Sequence, residues 1–235
     1  MQLRALQSIH GEPVLYLERT DSTNRVAREL ARQGGVGLVL AEHQTAGRGR
    51  MGRVWSSEPG QNLLFSVILR PVIAPAAAPR AVMCWAAAMA AALEVWVKWP
   101  NDLVSDQDLK LGGLLAELET DGDRVRHVVL GVGLNVNQRA FDGLPGATSL
   151  AELRGGDQDR VEALRALVGA IHGADLSERG LELWRARSRT LGRRVAVGEL
   201  RGTATGLRGD GALLIDGRPI LAGDVSLIGG SECCS

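Results

Sequence analysis

Apolar and polar residues follow two periods along most of the chain, and these periods indicate a mixture of strands and helices. Short apolar runs bounded by Gly, Pro or Asp are typical of strands, whereas apolar residues three or four positions apart are typical of helices. The predicted strands are residues 14–17, 36–41, 62–69, 95–98, 111–118 and 125–137, and the predicted helices are residues 24–33, 76–93, 160–171 and 177–188. Because strands and helices do not alternate regularly, the pattern predicts a mixed α/β sheet with flanking helices instead of a doubly wound parallel sheet.

The pattern changes near Arg193, where short β-like segments separated by Gly-Asp turns begin. Closely spaced short strands of this kind are typical of a small antiparallel barrel. The segments are residues 194–197, 202–207, 212–215, 219–221 and 225–228. The sequence therefore predicts two domains, a larger α/β domain over residues 1–190 and a small β-barrel over residues 191–235.

Composition narrows the possible function classes. The 235 residues include 27 basic and 27 acidic side chains, so no net charge attracts nucleic acid or an anionic membrane, and any anion site must be local. The three cysteines, Cys84, Cys233 and Cys234, form neither a disulfide framework nor a metal quartet, which fits a reducing cytoplasm. The N-terminus has no signal-peptide pattern. The apolar run at residues 81–93 is shorter than the roughly 20 residues that a bilayer requires, which predicts a buried helix.

The use of lysine is the first indication of a functional site. Lys98 and Lys110 are the only lysines, although the chain contains many arginines, and both lie in one segment with Asn101 and Asp102. Codon bias alone could leave two lysines at any positions. Their common segment favours a site where a compact ammonium approaches a phosphate or carboxylate and a planar guanidinium would not fit.

A loop rich in glycine and arginine follows the second predicted strand. Residues 47–52 match the pattern G-x-G-x-x-G, but residues 53–60 do not begin a helix as a dinucleotide-binding loop requires. What remains is three cations, Arg48, Arg50 and Arg53, on a flexible backbone that suits a polyanion. An alternative is an Arg-Gly segment that contacts RNA or solvent. Such segments usually occur as repeats in disordered tails, and this single copy between strands favours an ordered loop.

Three further groups of residues are candidates for a site, and the paired glycines among them favour a wall that binds a ligand over a chance arrangement. An Asp at the position of Asp102 can coordinate Mg²⁺ on a triphosphate or orient an incoming amine, but taken alone an Asx turn is the simpler explanation. Paired glycines within the strands at residues 112–113 and 131–133 allow a ligand to lie against the backbone. Ser22, Thr23 and Gln44 are most simply explained as helix-cap and loop residues.

Five motifs together resemble those of biotin protein ligases. They are residues 21–24 (DSTN), 42–55 (EHQTAGRGRMGRVW), 98–103 (KWPNDL), 110–117 (KLGGLLAE) and 131–137 (GVGLNVN). The motifs occur in the order typical of the family, and the resemblance extends over nearly the whole chain. It implies a class II synthetase-like catalytic domain over residues 1–190 and an SH3-like barrel over residues 191–235.

The resemblance also implies an activity. The family joins biotin to ATP as biotinyl-5′-AMP, with Mg²⁺, and transfers the biotinyl group to one lysine of a biotin carboxyl carrier protein. A cytoplasmic monomer or homodimer is expected. Only about twenty residues precede the first motif, so a DNA-binding winged helix and operator binding are not expected. Met51 stands where relatives often carry a basic residue, which leaves the loop with one cation fewer.

The site residues implied by the resemblance fall into four groups. The catalytic candidates are Lys110, Arg48 and Asp102. The biotin-binding candidates are Ser22, Thr23, Asn24, Gln44, Gly47, Arg48, Lys110, Gly113, Leu114 and Gly131. The candidates for binding ATP and the adenylate are Arg48, Gly49, Arg50, Arg53, Trp55, Lys98, Asn101 and Asn135. The candidate for binding Mg²⁺ is Asp102.

Two alternative functions compete with this interpretation. A lipoate–protein ligase shares the fold and the adenylate chemistry, but its loops differ from the motifs at residues 47–55 and 98–102. A noncatalytic nucleic-acid-binding adaptor could use the Arg-Gly loop and the barrel. The zero net charge and the presence of only one tyrosine and two phenylalanines disfavour the adaptor, because base stacking requires aromatic residues beside a basic groove.

Overall fold

The computed structural model of the protein describes residues 2–141 and 143–228, and Cys233 and Cys234 lie outside these ranges. The strands are β1 (Ser8–Ile9), β2 (Glu12–Thr20), β3 (Gly37–Gln44), β4 (Leu63–Leu69), β5 (Trp96–Lys98), β6 (Asp102–Val104), β7 (Lys110–Asp121), β8 (Arg124–Leu134), β9 (Arg194–Val197), β10 (Leu200–Leu207), β11 (Leu213–Ile215), β12 (Arg218–Ile220) and β13 (Ser226–Leu227). The α-helices are α1 (Thr23–Arg32), α2 (Ala78–Leu93), α3 (Leu150–Arg154), α4 (Arg160–His172) and α5 (Glu178–Ala186).

Strands β1 to β8 form one mixed sheet in the order β1-β2-β3-β4-β8-β7-β6-β5. Strands β2 and β3 are parallel, and the other neighbours are antiparallel. A parallel pair requires a crossover, which α1 provides, whereas the antiparallel pair β7 and β8 needs only a short turn. The prediction of a mixed sheet with flanking helices is confirmed.

One face of this sheet is covered by α1. Successive side chains of a strand point to opposite faces, so one set of alternating positions packs against this helix. Val39, Ile68 and Val129 form a small buried cluster there with Ala27 and Ala31 of α1. The N-terminus of α1 therefore lies over the same face as the glycines of β7 and β8.

The opposite face of the sheet packs against α2. Phe65 and Leu130 belong there to the main buried cluster, which also contains most of α2. With the preceding 3-10 turn, the helical segment Pro75–Leu93 has 19 residues and by length and composition is long and apolar enough to cross a membrane. Most residues of the run at 81–93 are nevertheless buried, so the prediction of a buried helix is confirmed. In the fold, more than half of the segment is buried, and α2 packs against α4 and α5 as a core helix.

Strands β9 to β13 form a second, antiparallel sheet in the order β12-β11-β10-β9-β13. Within the described residues no ladder joins the two end strands, so the sheet is open and the predicted SH3-like barrel is not confirmed. The main buried cluster continues into this sheet through Val195 and Ile215. The indole nitrogen of Trp99 also donates to the carbonyl of Gly211 at 3.0 Å. The division into two domains stays a prediction.

Two short elements near the site were not predicted. Asp102 begins the three-residue strand β6, which pairs with β5 and β7, so the explanation as a simple Asx turn is wrong. Helix α3 follows Ser149, whose hydroxyl accepts from the backbone N–H of Glu152 in a capping box. The S-x-x-E pattern for this cap is present in the sequence. Elements of three to five residues carry too little periodicity to be recognised.

Candidate active site

A cavity of about 320 Å³ opens on the face of the sheet covered by α1, beside the first residues of that helix. Its walls come from the start of α1, the end of β3, the Gly-Arg loop, β6 to β8 and the segment after β8. All but two of the site residues predicted from the sequence line this cavity. The lining residues among them are Ser22, Thr23, Asn24, Gln44, Arg48, Gly49, Arg50, Arg53, Trp55, Asn101, Asp102, Lys110, Gly113, Leu114, Gly131 and Asn135. Motifs that are far apart in the sequence therefore converge on one space.

The two exceptions are Lys98 and Gly47. Lys98 pairs with Asp102 in the register of β5 and β6, but it does not line the cavity. Gly47 lies at the base of the Gly-Arg loop, where a Cβ atom would come within 2.5 Å of the carbonyl oxygen of Trp55. Of the two lysines, Lys110 alone borders the cavity.

One end of the cavity presents neutral hydrogen-bonding groups. The Oε1 atom of Gln44 accepts from the backbone N–H of Thr23 at 2.7 Å and lies 3.0 Å from the Thr23 hydroxyl. Ser22, Thr23 and Asn24 are all buried although they are polar. Ser22 and Gln44 are therefore held where the end of β3 meets the start of α1. The parallel pairing of β2 with β3 produces this meeting, because Thr20 and Gln44 are partners in it.

The Gly-Arg loop forms a short hairpin over the cavity. Arg48 and Val54 form an isolated antiparallel bridge, and the N–H of Trp55 donates to the carbonyl of Gly47 at 2.9 Å. A 3-10 turn at Arg50–Gly52 connects the two sides of the hairpin. Residues 53–60 contain no helix, so the prediction that no helix follows this glycine pattern is confirmed. Met51 adopts a φ of 54° in that turn. The loop is a hairpin that carries three arginines.

Two of the arginines connect the loop to other parts of the fold. Arg50 donates to the Oδ1 atom of Asn101 at 3.2 Å, and Arg53 forms an ion pair with Asp224 at 2.7 Å. Burial lowers the pKa of Arg50 below its ordinary value, and the nearby carboxylate of Asp224 opposes this shift. Desolvation strengthens the interaction of a cation with an anionic ligand. These contacts hold the hairpin against β6 and the second sheet.

The ammonium of Lys110 borders the cavity together with the arginines of the hairpin. Its Nζ atom donates to the Oδ1 atom of Asp102 at 2.7 Å and lies 5.9 Å from the ring centroid of Trp55. Gly113 lies next to this pair, since a Cβ atom there would be 3.4 Å from the same Asp102 oxygen. The ammonium is thus fixed between a carboxylate and an aromatic ring.

Glycines of β8 leave room for the side chains around the cavity. A Cβ atom on Gly131 would lie 2.1 Å from the Oδ1 atom of Asn24, and one on Gly133 would lie 2.4 Å from Cε2 of Trp55. The indole N–H of Trp55 is shielded from solvent and has no hydrogen-bond partner among the described residues.

The segment after β8 was not predicted as part of the site. Phe141 and residues 143–147 line the cavity, and the N–H of Lys110 donates to the carbonyl of Gly146 at 2.6 Å. The amide of Asn135 donates to the carbonyl of Thr148 at 3.0 Å, which holds the segment from its other end. The Gly and Pro residues at positions 143–146 were the available signal, because they indicate a tight loop directly after a motif.

Comparisons with known proteins identify the family of the chain. A family model described as "Biotin/lipoate A/B protein ligase family" matches residues 16–135. A bifunctional ligase/repressor BirA of Bacillus spizizenii is 33% identical over 231 residues, covering 88% of this chain and 70% of the relative. A biotin–[acetyl-CoA-carboxylase] ligase of Mycobacterium tuberculosis is 36% identical over 234 residues, covering 88% of this chain and 86% of the relative. The solved biotin protein ligase from Aquifex aeolicus in complex with biotin and ATP superposes with a TM-score of 0.73 at 30% identity, covering 92% of this chain and 98% of that one.

The chain therefore belongs to the biotin/lipoate A/B protein ligase family. Its mixed sheet with flanking helices is that of the biotin ligase catalytic domain. Within the family it is a biotin ligase enzyme, since its relatives over most of its length carry that name.

Proposed function

We propose that this ligase activates biotin with ATP to form biotinyl-5′-AMP and pyrophosphate, and then transfers the biotinyl group to one lysine of a biotin carboxyl carrier protein in the cytoplasm. The observation that carries the proposal is that a single cavity is lined both by neutral hydrogen-bonding groups and by a cluster of cations. The M. tuberculosis relative is named for acetyl-CoA carboxylase, and the A. aeolicus relative was solved with biotin and ATP.

The neutral end of the cavity suits the ureido ring of biotin. That ring presents one carbonyl acceptor and two N–H donors, and all three must be satisfied when they leave water. Ser22, Thr23 and Gln44 offer hydroxyl and amide groups that can both donate and accept. The dithiolane ring of lipoate has no N–H, so these buried groups would stay unpaired with it. The cavity therefore favours biotin over lipoate.

The cationic part of the cavity suits the first reaction. A carboxylate oxygen of biotin must attack the α-phosphorus of ATP while the bond to pyrophosphate breaks. Two unit charges about 4 Å apart repel by roughly 1 kcal/mol in water and about 4 kcal/mol near a protein surface. In this proposal the ammonium of Lys110 lies between the two anions, and Arg48 and Arg50 hold the phosphates. Such fixed cations stabilise the charge that develops in the transition state.

The hairpin also excludes water. A mixed anhydride of a carboxylic acid and AMP hydrolyses unless solvent is kept away. Trp55 covers Gly133 on the cavity wall, and Arg50 is tied to Asn101. Movement of the hairpin between the Asn101 contact and the bound phosphates would admit the substrates and then close over the adenylate.

The proposed Mg²⁺ fits the residues present only in part. Among the described residues no group of three His, Cys, Asp or Glu side chains is placed to hold a metal ion. Mg²⁺ that travels with a nucleotide commonly uses one or two carboxylates together with phosphate oxygens and water. Asp102 could supply one carboxylate, and the ion would neutralise charge on the phosphates.

The second reaction requires a neutral amine. The acceptor lysine nitrogen attacks the acyl carbon of the adenylate, and the bond from that carbon to the AMP oxygen breaks. Only one oxygen of Asp102 is bonded to Lys110, so the other can accept a hydrogen bond from the entering amine. This contact would orient the amine toward the acyl carbon.

The test is biotin-dependent incorporation of labelled pyrophosphate into ATP, followed by transfer of biotin to a carrier-protein fragment. We expect exchange with biotin, weak or no exchange with lipoate at the same concentration, and labelling of one carrier lysine. A carrier fragment with that lysine changed to arginine is the matched control. Exchange driven by lipoate and not by biotin would identify the chain as a lipoate ligase instead.

A further inference from the structure

The guanidinium of Arg53 connects the Gly-Arg hairpin to the second sheet. Its Nη2 atom donates to the Oδ1 atom of Asp224 at 2.7 Å, and its Nε atom donates to the carbonyl oxygen of Arg50 at 3.3 Å. Asp224 lies in the segment that joins β12 to β13. Arg53 lines the cavity, but the described residues of the second sheet, including Asp224, do not. This ion pair therefore fastens a cation of the cavity to a part of the chain outside it.

We infer that Asp224 is a latch for the Gly-Arg hairpin, which holds Arg53 while no nucleotide is bound and releases it to the terminal phosphates of ATP. The inference rests on the proposed function and deepens it, because it gives the second sheet a part in nucleotide binding. Asp224 acts through Arg53 and is a positioning residue. Three observations carry the inference, and they concern the place of Arg53, the fixed position of Asp224 and the exposure of the ion pair.

Arg53 stands at the outer end of a row of polar contacts that begins at Lys110. The ammonium of Lys110 contacts Asp102, and the preceding residue, Asn101, accepts from the guanidinium of Arg50. The carbonyl of Arg50 in turn accepts from Arg53. In the proposed reaction the α-phosphorus of ATP lies beside Lys110. Phosphates that extend from there along the row reach Arg53 last, so Arg53 is placed for the terminal phosphates.

The backbone on both sides of Asp224 is packed against the second sheet. Gly223 has a φ of 137°, and a Cβ atom there would lie 2.5 Å from the Cγ1 atom of Val197 on β9. Val225, on the other side, is 4% exposed and belongs to the main buried cluster. The carboxylate is therefore presented from a rigid support. When the ion pair opens, we expect the hairpin to move and Asp224 to stay in place.

The ion pair is exposed enough to be exchanged for a stronger one. The side chain of Arg53 is 51% exposed and that of Asp224 is 43% exposed. Water screens such a pair, and exposed ion pairs contribute little to stability. A guanidinium binds a phosphate through two parallel hydrogen bonds, and a terminal phosphate carries more negative charge than a carboxylate. ATP can therefore displace Asp224 from Arg53.

The experiment measures by calorimetry how tightly the full chain, saturated with biotin, binds AMP and an ATP analogue with a methylene group between the α- and β-phosphorus. We expect Asp224→Asn to bind the analogue about two- to fivefold more tightly than the unchanged chain, because no ion pair has to open. Its affinity for AMP should not change, because AMP has no terminal phosphates. The matched control is Glu199→Gln, which removes one negative charge in the exposed turn between β9 and β10 and should change neither affinity.

A double variant separates the latch from a general effect of charge. Arg53→Gln alone should weaken binding of the analogue about tenfold, since it removes the cation that the terminal phosphates use. Adding Asp224→Asn to this variant should give no gain, because no ion pair is left to open. A gain as large as in the presence of Arg53 would show that Asp224 only repels the nucleotide through its charge, and the latch would be refuted.

Amide hydrogen exchange of residues 47–55 tests the latch without any measurement of affinity. Without nucleotide, we expect these amides to exchange faster in Asp224→Asn than in the unchanged chain, because the hairpin has lost its tie to the second sheet. With biotin and the ATP analogue bound, the two chains should exchange alike. Equal exchange without nucleotide would contradict the latch. Urea unfolding of each variant measures any general loss of stability.

The remaining outcomes separate the inference from the function on which it rests. Failure of the unchanged chain to bind either biotin or the ATP analogue would refute the proposed function and the inference with it. If the unchanged chain binds both, unchanged or weaker binding of the analogue by Asp224→Asn refutes the inference alone. An equal gain for AMP and the analogue also refutes it, because the terminal phosphates would then not be the groups that compete with Asp224.

Discussion

The Nζ atom of Lys110 lies 2.7 Å from the Oδ1 atom of Asp102, within a cavity whose other cations are arginines. The carboxylate holds the ammonium in one position, and the ring of Trp55 limits its movement on another side. Asp102 is only 14% exposed, so the contact is partly shielded from water. They lie eight positions apart in the sequence, and the pairing of β6 with β7 brings their side chains together.

The first prediction tests whether this position requires an ammonium. We expect Lys110→Arg to lower the rate of biotin-dependent pyrophosphate exchange by about 100-fold or more, because the longer planar fork does not fit between two anions beside Asp102. Lys98→Arg is the matched control, since Lys98 does not line the cavity and should retain exchange. Wild-type exchange in Lys110→Arg would contradict the assignment.

The second prediction concerns Asp102. We expect Asp102→Asn to reduce adenylate formation about tenfold, because the amide keeps the size of the side chain but no longer holds the ammonium by charge. Transfer from preformed biotinyl-5′-AMP to the carrier should fall as well, and both half-reactions are measured separately. Asp106→Asn, an exposed change in the adjacent turn, serves as the control. If both half-reactions proceed normally in Asp102→Asn, the carboxylate has no role in either.

The sequence predicted the long elements of the fold because burial on both faces leaves a strong pattern. Strand β4 is buried at every position, and it appears in the sequence as a continuous apolar run. The second sheet was predicted as a closed barrel, but its open strand order depends on pairing between distant segments. The sequence pattern of a short strand indicates that the segment is extended, but it does not indicate which strands pair with it.

Cavity residues that belong to a sequence motif could be predicted. Cavity residues that are brought to the site only by tertiary contacts could not. Lys98 and Lys110 lie in one segment, but the position of each strand in the sheet decides that Lys110 borders the cavity. Residues 143–147 join the site through a backbone bond from Lys110 to Gly146, which leaves no pattern in the side chains. Glu117 contacts Asn24 across 93 positions, a distance that no local pattern reports.

The third prediction tests the close packing of Trp55 on β8. A Cβ atom on Gly133 would overlap the Trp55 ring, so we expect Gly133→Ala to displace that ring and to cost about 1–3 kcal/mol of stability. Biotin affinity should fall with it, because Trp55 lines the cavity. Urea unfolding and calorimetry with biotin measure the two effects.

The control for this glycine is Gly156→Ala. A Cβ atom at Gly156 would meet no heavy atom within 4 Å, so the extra methyl group should change neither stability nor biotin affinity. If Gly133→Ala were as stable as Gly156→Ala and bound biotin normally, the indole of Trp55 would have room to move without loss.

The fourth prediction concerns the pH dependence of stability. His127 on β8 is 1% exposed, and burial lowers its pKa below the ordinary value of 6.5, although Glu119 opposes this shift. As the pH falls below 6.5, His127 is therefore protonated in the unfolded chain while it stays neutral in the folded chain. The contribution of the neutral His127 side chain to the free energy of unfolding is fully present above pH 6.5. It is lost as the pH falls from there through the folded pKa, by at most about 1.4 kcal/mol per pH unit.

Urea unfolding at about pH 7.5 and about pH 5.5 measures this loss. We expect His127→Gln to lose less stability between the two pH values than the unchanged chain, because glutamine does not titrate. The exposed His172 at the end of α4 provides the control, and His172→Gln should keep the pH dependence of the unchanged chain. An identical loss of stability in His127→Gln and the unchanged chain would show that the carboxylates paired with arginine on the surface, and not the buried imidazole, govern this pH range.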